Sequence, residues 1–127
     1  MTGEVLIDTN ILIDHCNGIA CATEYLCSIS GLGRSSVVTV AELLAGYPAH
    51  ARQAPRVVLA GLPLLEIDLA VAEHAATLRR DHRWKLPDAF QAALAQHYSV
   101  RLATRNTKDF PPDRYSFVVV PYDLSEK

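Results

Sequence analysis

Three carboxylate side chains, Asp8, Glu42 and Asp88, stand at positions from which they could share one site. Asp8 ends a predicted strand, Glu42 lies in the first turn of a predicted helix, and Asp88 heads another helix. Carboxylates that are partly buried close together repel and raise one another's pKa by about one unit or more. A divalent cation removes that penalty, and carboxylate oxygens suit Mg²⁺ or Mn²⁺, which also bind phosphate. The pattern therefore predicts a cation site for a phosphodiester substrate.

Two further polar residues, Asn106 and Asp109, follow a predicted strand at 101–103. In open sheets of parallel strands, ligands bind beyond the carboxyl ends of the strands. We therefore expect these two side chains and the three acids to converge on one edge of a sheet, although they come from distant parts of the sequence.

Each of these acids also has a purely structural explanation. Asp8 could cap the next helix, Thr39 and Glu42 match the capping-box pattern, and Asp88 could be stabilised by the positive end of its own helix. The apolar sequence around Glu42 (VVTVAELL) and after Asp88 (AFQAA) predicts partly buried carboxylates. That burial favours the functional interpretation.

The elements that must position these residues alternate between short apolar runs and amphipathic segments. The predicted strands are 4–7, 36–38, 64–67, 101–103 and 117–120, and the predicted helices are 10–16, 20–28, 39–46, 51–60, 69–82 and 87–98. Glycines at 31 and 33 predict a loop before the second strand. Five short strands separated mostly by helices predict an α/β fold with a mostly parallel sheet covered on both faces.

Composition is that of one soluble domain spanning residues 1–127, since half of the residues are hydrophobic and a fifth are charged. No apolar run approaches the roughly 18 residues of a membrane span. The N-terminus lacks the features of a signal peptide, so we expect a cytoplasmic protein. The three cysteines, an odd number without zinc-ligand spacing, predict small buried side chains rather than disulfides.

Basic residues gather on both sides of the acids, although the net charge of −2 gives no general attraction for nucleic acid. Four precede Asp88 and two flank Asn106: they are Arg79, Arg80, Arg83, Lys85, Arg105 and Lys108. Solvated surface charge is the usual explanation of such runs. Beside an acidic cluster, however, a positive rim suits a phosphodiester. Asp14 is expected to be a surface charge or a member of an ion pair rather than a catalytic residue.

Four motifs in order resemble the PIN-domain family. They are LIDTNILID at 6–14, VTVAELLAG at 38–46, LPDAFQAA at 86–93 and LATRNTKDF at 102–110. Their order and spacing match the family across almost the whole chain, with the nearest resemblance to VapC-type toxins of bacterial toxin–antitoxin pairs.

The resemblance implies a single PIN-like domain with about five mostly parallel strands. It also implies a Mg²⁺- or Mn²⁺-dependent endoribonuclease that forms a homodimer and is inhibited by a VapB-like antitoxin, with DNA contacted only indirectly through that antitoxin. The expected reaction is metal-assisted hydrolysis, in which the cation activates water and polarises the phosphate. The products implied by the family are a 5′-phosphate and a 3′-hydroxyl.

By the same resemblance, Asp8, Glu42 and Asp88 are expected to be catalytic residues that hold the metal. Many relatives have an acidic residue at the position of Asn106, so either Asn106 or Asp109 is expected to complete the catalytic set. That departure leaves the number of bound ions open.

The motifs also supply candidates for substrate binding. Thr9, Asn10 and Thr104 could orient ligands or a phosphate oxygen, although local capping explains the first two equally well. Arg105 and Lys108 are candidates to hold the RNA backbone, with Lys85 a third.

Three alternatives differ in their predictions. A DNA or flap nuclease on the same scaffold would need an arch or a helical DNA clamp, which the sequence does not show. A phosphoacceptor receiver domain would need a lysine after the last strand, where only the terminal Lys127 follows Pro121. A non-catalytic member that acts through protein partners is disfavoured by the intact set of acids.

Overall fold

The computed structural model describes residues 3–124, in which four strands form one parallel sheet. The strands are β1 (Val5–Ile7), β2 (Gly33–Arg34), β3 (Arg101–Ala103) and β4 (Val118–Val119). Their order is β2-β1-β3-β4, and every neighbouring pair is parallel. The two central strands are thus β1 and β3, whose carboxyl ends carry the first and fourth motifs.

In residues 3–124, six α-helices connect and cover the strands. They are α1 (Thr9–Cys16), α2 (Ala20–Ser28), α3 (Val37–Ala45), α4 (Gln53–Ala60), α5 (Leu69–His82) and α6 (Leu86–His97), with a 3₁₀ turn at Ala49–Ala51. The predicted bounds of α2, α5 and β3 are confirmed residue for residue. Within residues 3–124, none of the helices has the length and apolar character needed to cross a bilayer.

The helix ends follow local capping chemistry. The Asp8 carboxylate accepts from the backbone N–H of Thr9 at the start of α1, and Asp68 accepts from Val71 at the start of α5 at 2.9 Å. Pro87 lies in the first turn of α6, where no helical donor is lost. Such signals depend on neighbours in sequence, which is why the helices were predictable.

The second strand was predicted at 36–38, and this was wrong. Ser36 is the N-cap of α3, with its hydroxyl accepting from the backbone N–H of Thr39 at 3.2 Å, so the β-branched residues after it begin a helix. The strand lies earlier, at residues predicted as a loop. Gly33 fits there because a Cβ would come within 2.7 Å of a methyl group of Leu62.

The predicted fifth strand at 64–67 is reduced to a single bridge, so the expected five strands are four in residues 3–124. Ser35 donates to the carbonyl of Pro63 at 3.0 Å, and Leu65 donates to the carbonyl of Ser35 at 2.8 Å. Pairing ends there because Ser36 already belongs to the cap of α3.

Core side chains divide between the two faces of the sheet. Leu6 and Leu102 lie in one buried cluster with residues of α5 and α6, and Ile7 and Ala103 lie in another with residues of α1 and α3. Successive residues of a strand point to opposite faces, so both faces of β1 and β3 are covered. The α/β prediction is confirmed.

The cysteines, by contrast, are not the buried set that the sequence predicted. Cys16 and Cys21 are partly buried, Cys27 is exposed, and all three are free thiols. Cys16 ends α1, and Cys21 and Cys27 lie on α2, of which Ala22 is the buried residue.

Candidate active site

An open cleft of about 510 Å³ lies at the carboxyl ends of β1 and β3. It is lined by Asp8, Thr9, Asn10, Ile13, Glu42, Ala45, Asp88 and Asn106. The structure therefore brings together three acids whose positions span 80 residues of sequence, at the edge of the sheet where they were expected.

Asp8 is only 5% exposed and is surrounded by hydrogen-bond donors. Its Oδ1 accepts from the backbone of Thr9 at 2.8 Å and from Gln91 Nε2 at 3.3 Å. Its Oδ2 accepts from the Thr104 hydroxyl at 2.7 Å and from Asn10 Nδ2 at 3.4 Å. These donors offset the cost of placing a carboxylate in a buried position. Asp8 caps α1 and also lines the cleft, so the structural and the functional interpretation of this residue are compatible.

Glu42 is the sixth residue of α3 rather than a first-turn residue, because the helix begins at Val37. The capping box expected between Thr39 and Glu42 is absent, since Ser36 caps the helix. The Glu42 side chain is exposed toward the cleft and not embedded among apolar neighbours as predicted. Its Oε1 accepts from the hydroxyl of Thr9 at 2.6 Å, which fixes it beside the first motif.

Asp88 is half-buried in the first turn of α6, and its pKa is raised from the ordinary 3.8 to about 6. Burial is the largest cause, followed by the negative charges of Asp8, Asp109 and Glu42, while the positive charge of Lys85 lowers the pKa. The acids are thus close enough to repel one another, as the sequence predicted.

The raised pKa of Asp88 predicts a pH dependence of stability in the metal-free protein. The folded state binds this proton more tightly than the unfolded state does. The contribution of Asp88 to stability is therefore full below about pH 4, falls as the pH rises to about 6, and is constant above. In denaturant unfolding with EDTA, the free energy of unfolding of wild type minus that of Asp88→Asn should decline as the pH rises from about 4 to about 6. A difference that is constant from pH 4 to 7 would contradict the assignment.

Thr104 connects the fourth motif to the first. Its hydroxyl accepts from Asn10 Nδ2 at 3.1 Å and from the backbone of Asn106 at 3.0 Å, so its own hydrogen is directed to Asp8. Asn10 Oδ1 accepts in turn from the backbone of Arg105 at 3.2 Å. Thr104 and Asn10 therefore hold the loop after β3 against the cleft.

Asn106 and Asp109 are paired within one turn. Asn106 Nδ2 donates to Asp109 Oδ2 at 3.0 Å, and Asn106 Oδ1 accepts from the backbone of Asp109 at 3.3 Å. Asn106 lines the cleft. Asp109 is not among the lining residues, but its negative charge raises the pKa of Asp88, which is. Which of the two completes the site stays a prediction.

The donor set has the chemistry of a site for a hard divalent cation. Within residues 3–124, Asp8, Glu42 and Asp88 take part in no ion pair, and no three His, Cys, Asp or Glu side chains converge closely enough to surround one ion directly. Mg²⁺ keeps several waters and is commonly bound through one or two carboxylates. Repelling oxygen ligands around an open cleft fit a hydrated ion of that kind.

A family model described as "PIN domain" matches residues 5–112. The chain belongs to the PIN-domain family. All four motifs fall within the matched region, and the elements of the cleft are those that carry them.

Relatives of this PIN domain are found among curated proteins and solved structures. It is 32% identical to Ribonuclease VapC10 of Mycobacterium tuberculosis over 114 residues, which is 84% of this chain and 86% of the relative. A toxin-antitoxin complex from Klebsiella pneumoniae contains a chain that is 36% identical, with a TM-score of 0.86 and coverage of 95% of this chain and 100% of that one. FitAB bound to the IR36 DNA fragment matches at 26% identity and a TM-score of 0.72, covering 94% and 96%.

Arg105, a predicted substrate-binding residue, forms an internal ion pair in this PIN domain. The guanidinium of Arg105, a candidate for RNA binding, donates to the carboxylate of Asp14 at 2.5 and 2.9 Å. The hydroxyl of Tyr122 donates to the same carboxylate at 2.7 Å. The ion pair expected for Asp14 is confirmed, although the residue is buried rather than on the surface. Lys108 is exposed, and unlike Arg105 it forms no ion pair within residues 3–124.

The sequence interpretation of this PIN domain missed Gln91, which is buried on α6 and donates to Asp8. The available signal was that Gln91 is the one polar residue between Asp88 and Gln96 in an alanine-rich helix. It stands three residues after Asp88, so both lie on the same face.

Proposed function

We propose that this PIN domain is a Mg²⁺- or Mn²⁺-dependent endoribonuclease and the toxin of a VapBC-type pair. The observation that carries the proposal is the convergence of Asp8, Glu42 and Asp88 on one open cleft. The similarity to Ribonuclease VapC10 supports RNA as the substrate, and the similarity to the toxin-antitoxin complex supports the biological role.

In this proposal Asp8, Glu42 and Asp88 would hold the cation. When bound, such an ion supplies Lewis-acid activation of water and stabilises charge on the phosphate. The protein's own contribution is a fixed set of carboxylates: Asp8 is oriented by its four donors, and Glu42 by the hydroxyl of Thr9. Asp88, with a pKa of about 6, is mostly ionised at neutral pH. The Asn106 amide offers a neutral polar contact at the mouth of the cleft.

The decisive experiment compares RNA and DNA of the same sequence. Purified protein stripped with EDTA should leave both intact, and addition of Mg²⁺ or Mn²⁺ should restore cleavage of single-stranded RNA only. Equal cleavage of DNA would favour the DNA or flap nuclease. Failure to cut total RNA with either ion would leave a non-catalytic PIN domain and overturn the proposal.

The proposed partners are a second copy of this chain and a VapB-like antitoxin. A DNA-bound relative supports the expectation that DNA is contacted through the antitoxin. Co-expression with the product of the adjacent gene should give a complex that no longer cleaves RNA. Operator DNA should be shifted by that complex but not by the toxin alone, and light scattering of the toxin alone should give the mass of a dimer. The cytoplasmic location stays a prediction.

Removal of the Lys108 charge should weaken RNA binding and reduce its salt dependence. Each phosphate contact contributes roughly one unit, or slightly less, to the slope of log affinity against log salt. Lys108→Ala in a cleavage-deficient Asp8→Asn background should lower that slope by about 0.7 for single-stranded RNA. Arg101→Ala is the matched control, because Arg101 is exposed at the amino end of β3, away from the cleft. If the slope of log affinity against log salt is the same for Lys108→Ala and Arg101→Ala, Lys108 does not contact the RNA backbone.

A further inference from the structure

Gln91 is a buried polar side chain beneath the cleft, with 1% of its surface exposed. It lies on α6 one turn after Asp88, among alanines that are themselves buried. A polar side chain in such a position is costly unless its donors and acceptor are all satisfied. The partners of Gln91 therefore indicate what the residue does.

The orientation of the Gln91 amide is fixed by chemistry. The Asp8 carboxylate can only accept, so the group that faces it at 3.3 Å is the amide nitrogen. The same nitrogen donates to the hydroxyl of Thr39 at 2.9 Å, and the amide oxygen accepts from the hydroxyl of Ser36 at 2.9 Å. Both donors and the acceptor are used.

The series of hydrogen bonds that begins at Gln91 extends to Glu42, with each group donating to the next. The hydroxyl of Thr9 gives its hydrogen to Glu42 Oε1 at 2.6 Å, so in the 3.0 Å contact between Thr9 and Thr39 the hydroxyl of Thr39 must be the donor. Thr39 is free to donate there because Gln91 supplies the hydrogen that its own oxygen accepts. One chain of donors thus runs from Gln91 through the two threonines to Glu42.

Gln91 also ties together the elements that carry the three acids. It belongs to α6, which carries Asp88; it contacts Asp8 at the end of β1; and it contacts Ser36, the N-cap of α3, which carries Glu42. Tertiary contacts of this kind set the distances between acids that are remote in sequence. No other side chain in the part of the chain that the structure describes hydrogen-bonds both Asp8 and the cap of α3.

We infer that Gln91 is a positioning residue for the acidic site, whose amide orients Asp8 directly and Glu42 through Thr39 and Thr9. As far as the cation is concerned, the inference rests on the proposed function. A half-satisfied buried network is worse than none, so loss of the Gln91 amide frees both carboxylates to rotate. Residues that orient metal ligands typically contribute roughly 10- to 100-fold in metal affinity.

The test uses two methionine substitutions one turn apart on the same helix. Gln91→Met keeps the volume and removes every hydrogen bond of the amide. Leu94→Met is the matched control, since Leu94 is fully buried and contacts none of the acids by hydrogen bonding. Gln91→Glu adds a third arm, because it places a second carboxylate against Asp8 and reverses the hydrogen bond to Thr39.

The first measurement is Mn²⁺ binding in the absence of RNA, monitored through the EPR signal of the free ion. Gln91→Met should weaken binding by roughly 10- to 100-fold, Gln91→Glu should not rescue it, and Leu94→Met should stay within about twofold of wild type, since a volume-conserving swap is well tolerated. Circular dichroism and thermal unfolding in EDTA establish that each variant is folded. A folded Gln91→Met protein that binds Mn²⁺ like wild type overturns the inference.

Failure of the proposed function is distinguishable from failure of this inference. If wild type binds Mn²⁺ but cleaves no RNA, the function fails, and the comparison of Gln91→Met with Leu94→Met still decides the positioning role. If wild type binds no Mn²⁺, metal-free crystal structures decide: the Thr9–Glu42 hydrogen bond should be lost in Gln91→Met and kept in Leu94→Met. An unchanged arrangement of Asp8 and Glu42 in both variants overturns the inference.

Discussion

Replacement of Asp8 by asparagine should lower RNA cleavage by roughly three orders of magnitude, since electrostatic stabilisation is usually the largest single contribution to catalysis. The change removes a negative charge that faces the cleft. It also introduces an amide NH₂, which is a donor, at a position where the neighbouring groups are donors as well. Thr104 already directs its hydrogen to this carboxylate, so one donor is left without an acceptor. We expect a loss of about 1–2 kcal/mol in unfolding free energy and an unchanged fold.

The measurement is the single-turnover cleavage rate of a defined RNA, together with circular dichroism and thermal unfolding. Asp113→Asn makes the same chemical change in an exposed loop after β3 and should cleave like wild type. Because Asp8 raises the pKa of Asp88, the Asp8→Asn protein should also show a lower Asp88 pKa. Full activity in Asp8→Asn would remove Asp8 from the catalytic set.

The largest effect on stability is expected for Asp14→Ala. Asp14 is 6% exposed and accepts three hydrogen bonds, two from Arg105 and one from Tyr122. Breaking a buried ion pair typically costs about 3–5 kcal/mol. The Arg105 side chain is 31% exposed and regains some water, so we expect about 2–3 kcal/mol, or a fall in the melting temperature of roughly 10 °C.

Two companion variants separate the role of Asp14 from that of Arg105. Asp14→Asn keeps the shape and can still accept, so its loss of stability should be smaller. Arg105→Ala should also destabilise the fold, because Asp14 keeps its charge with only Tyr122 as a partner. If Arg105→Ala instead reduces RNA binding and leaves the melting temperature unchanged, Arg105 serves the substrate rather than the fold.

The helices and the common edge of the acids could be predicted because the signals are local. The cap at Asp68 and the apolar positions of α5 are readable from a dozen residues, and Asp8 follows a strand whose carboxyl end must open on the cleft. The second strand was misplaced because Val37 and Val38 favour a strand by type, whereas the Ser36 cap makes them helical.

The hydrogen bonds of the buried polar residues near the acidic cleft could not be predicted from the sequence. Whether Gln91 is buried or solvated depends on Ser36, Thr39 and Asp8, which lie 52 to 83 residues away in sequence. The same holds for Asp14, whose partners lie 91 and 108 residues away. Spacing along the chain carries no information about such contacts when a single sequence is read.

The short outer strands limit how this molecule can associate with others. β2 and β4 each contribute two residues, and in β2 the Arg34 guanidinium donates to Glu4 at 3.0 Å. Very short outer strands, and a charged residue on one of them, disfavour the addition of a strand from another molecule and hence aggregation. Any assembly that this molecule forms is therefore expected to use helical surfaces rather than the outer strands.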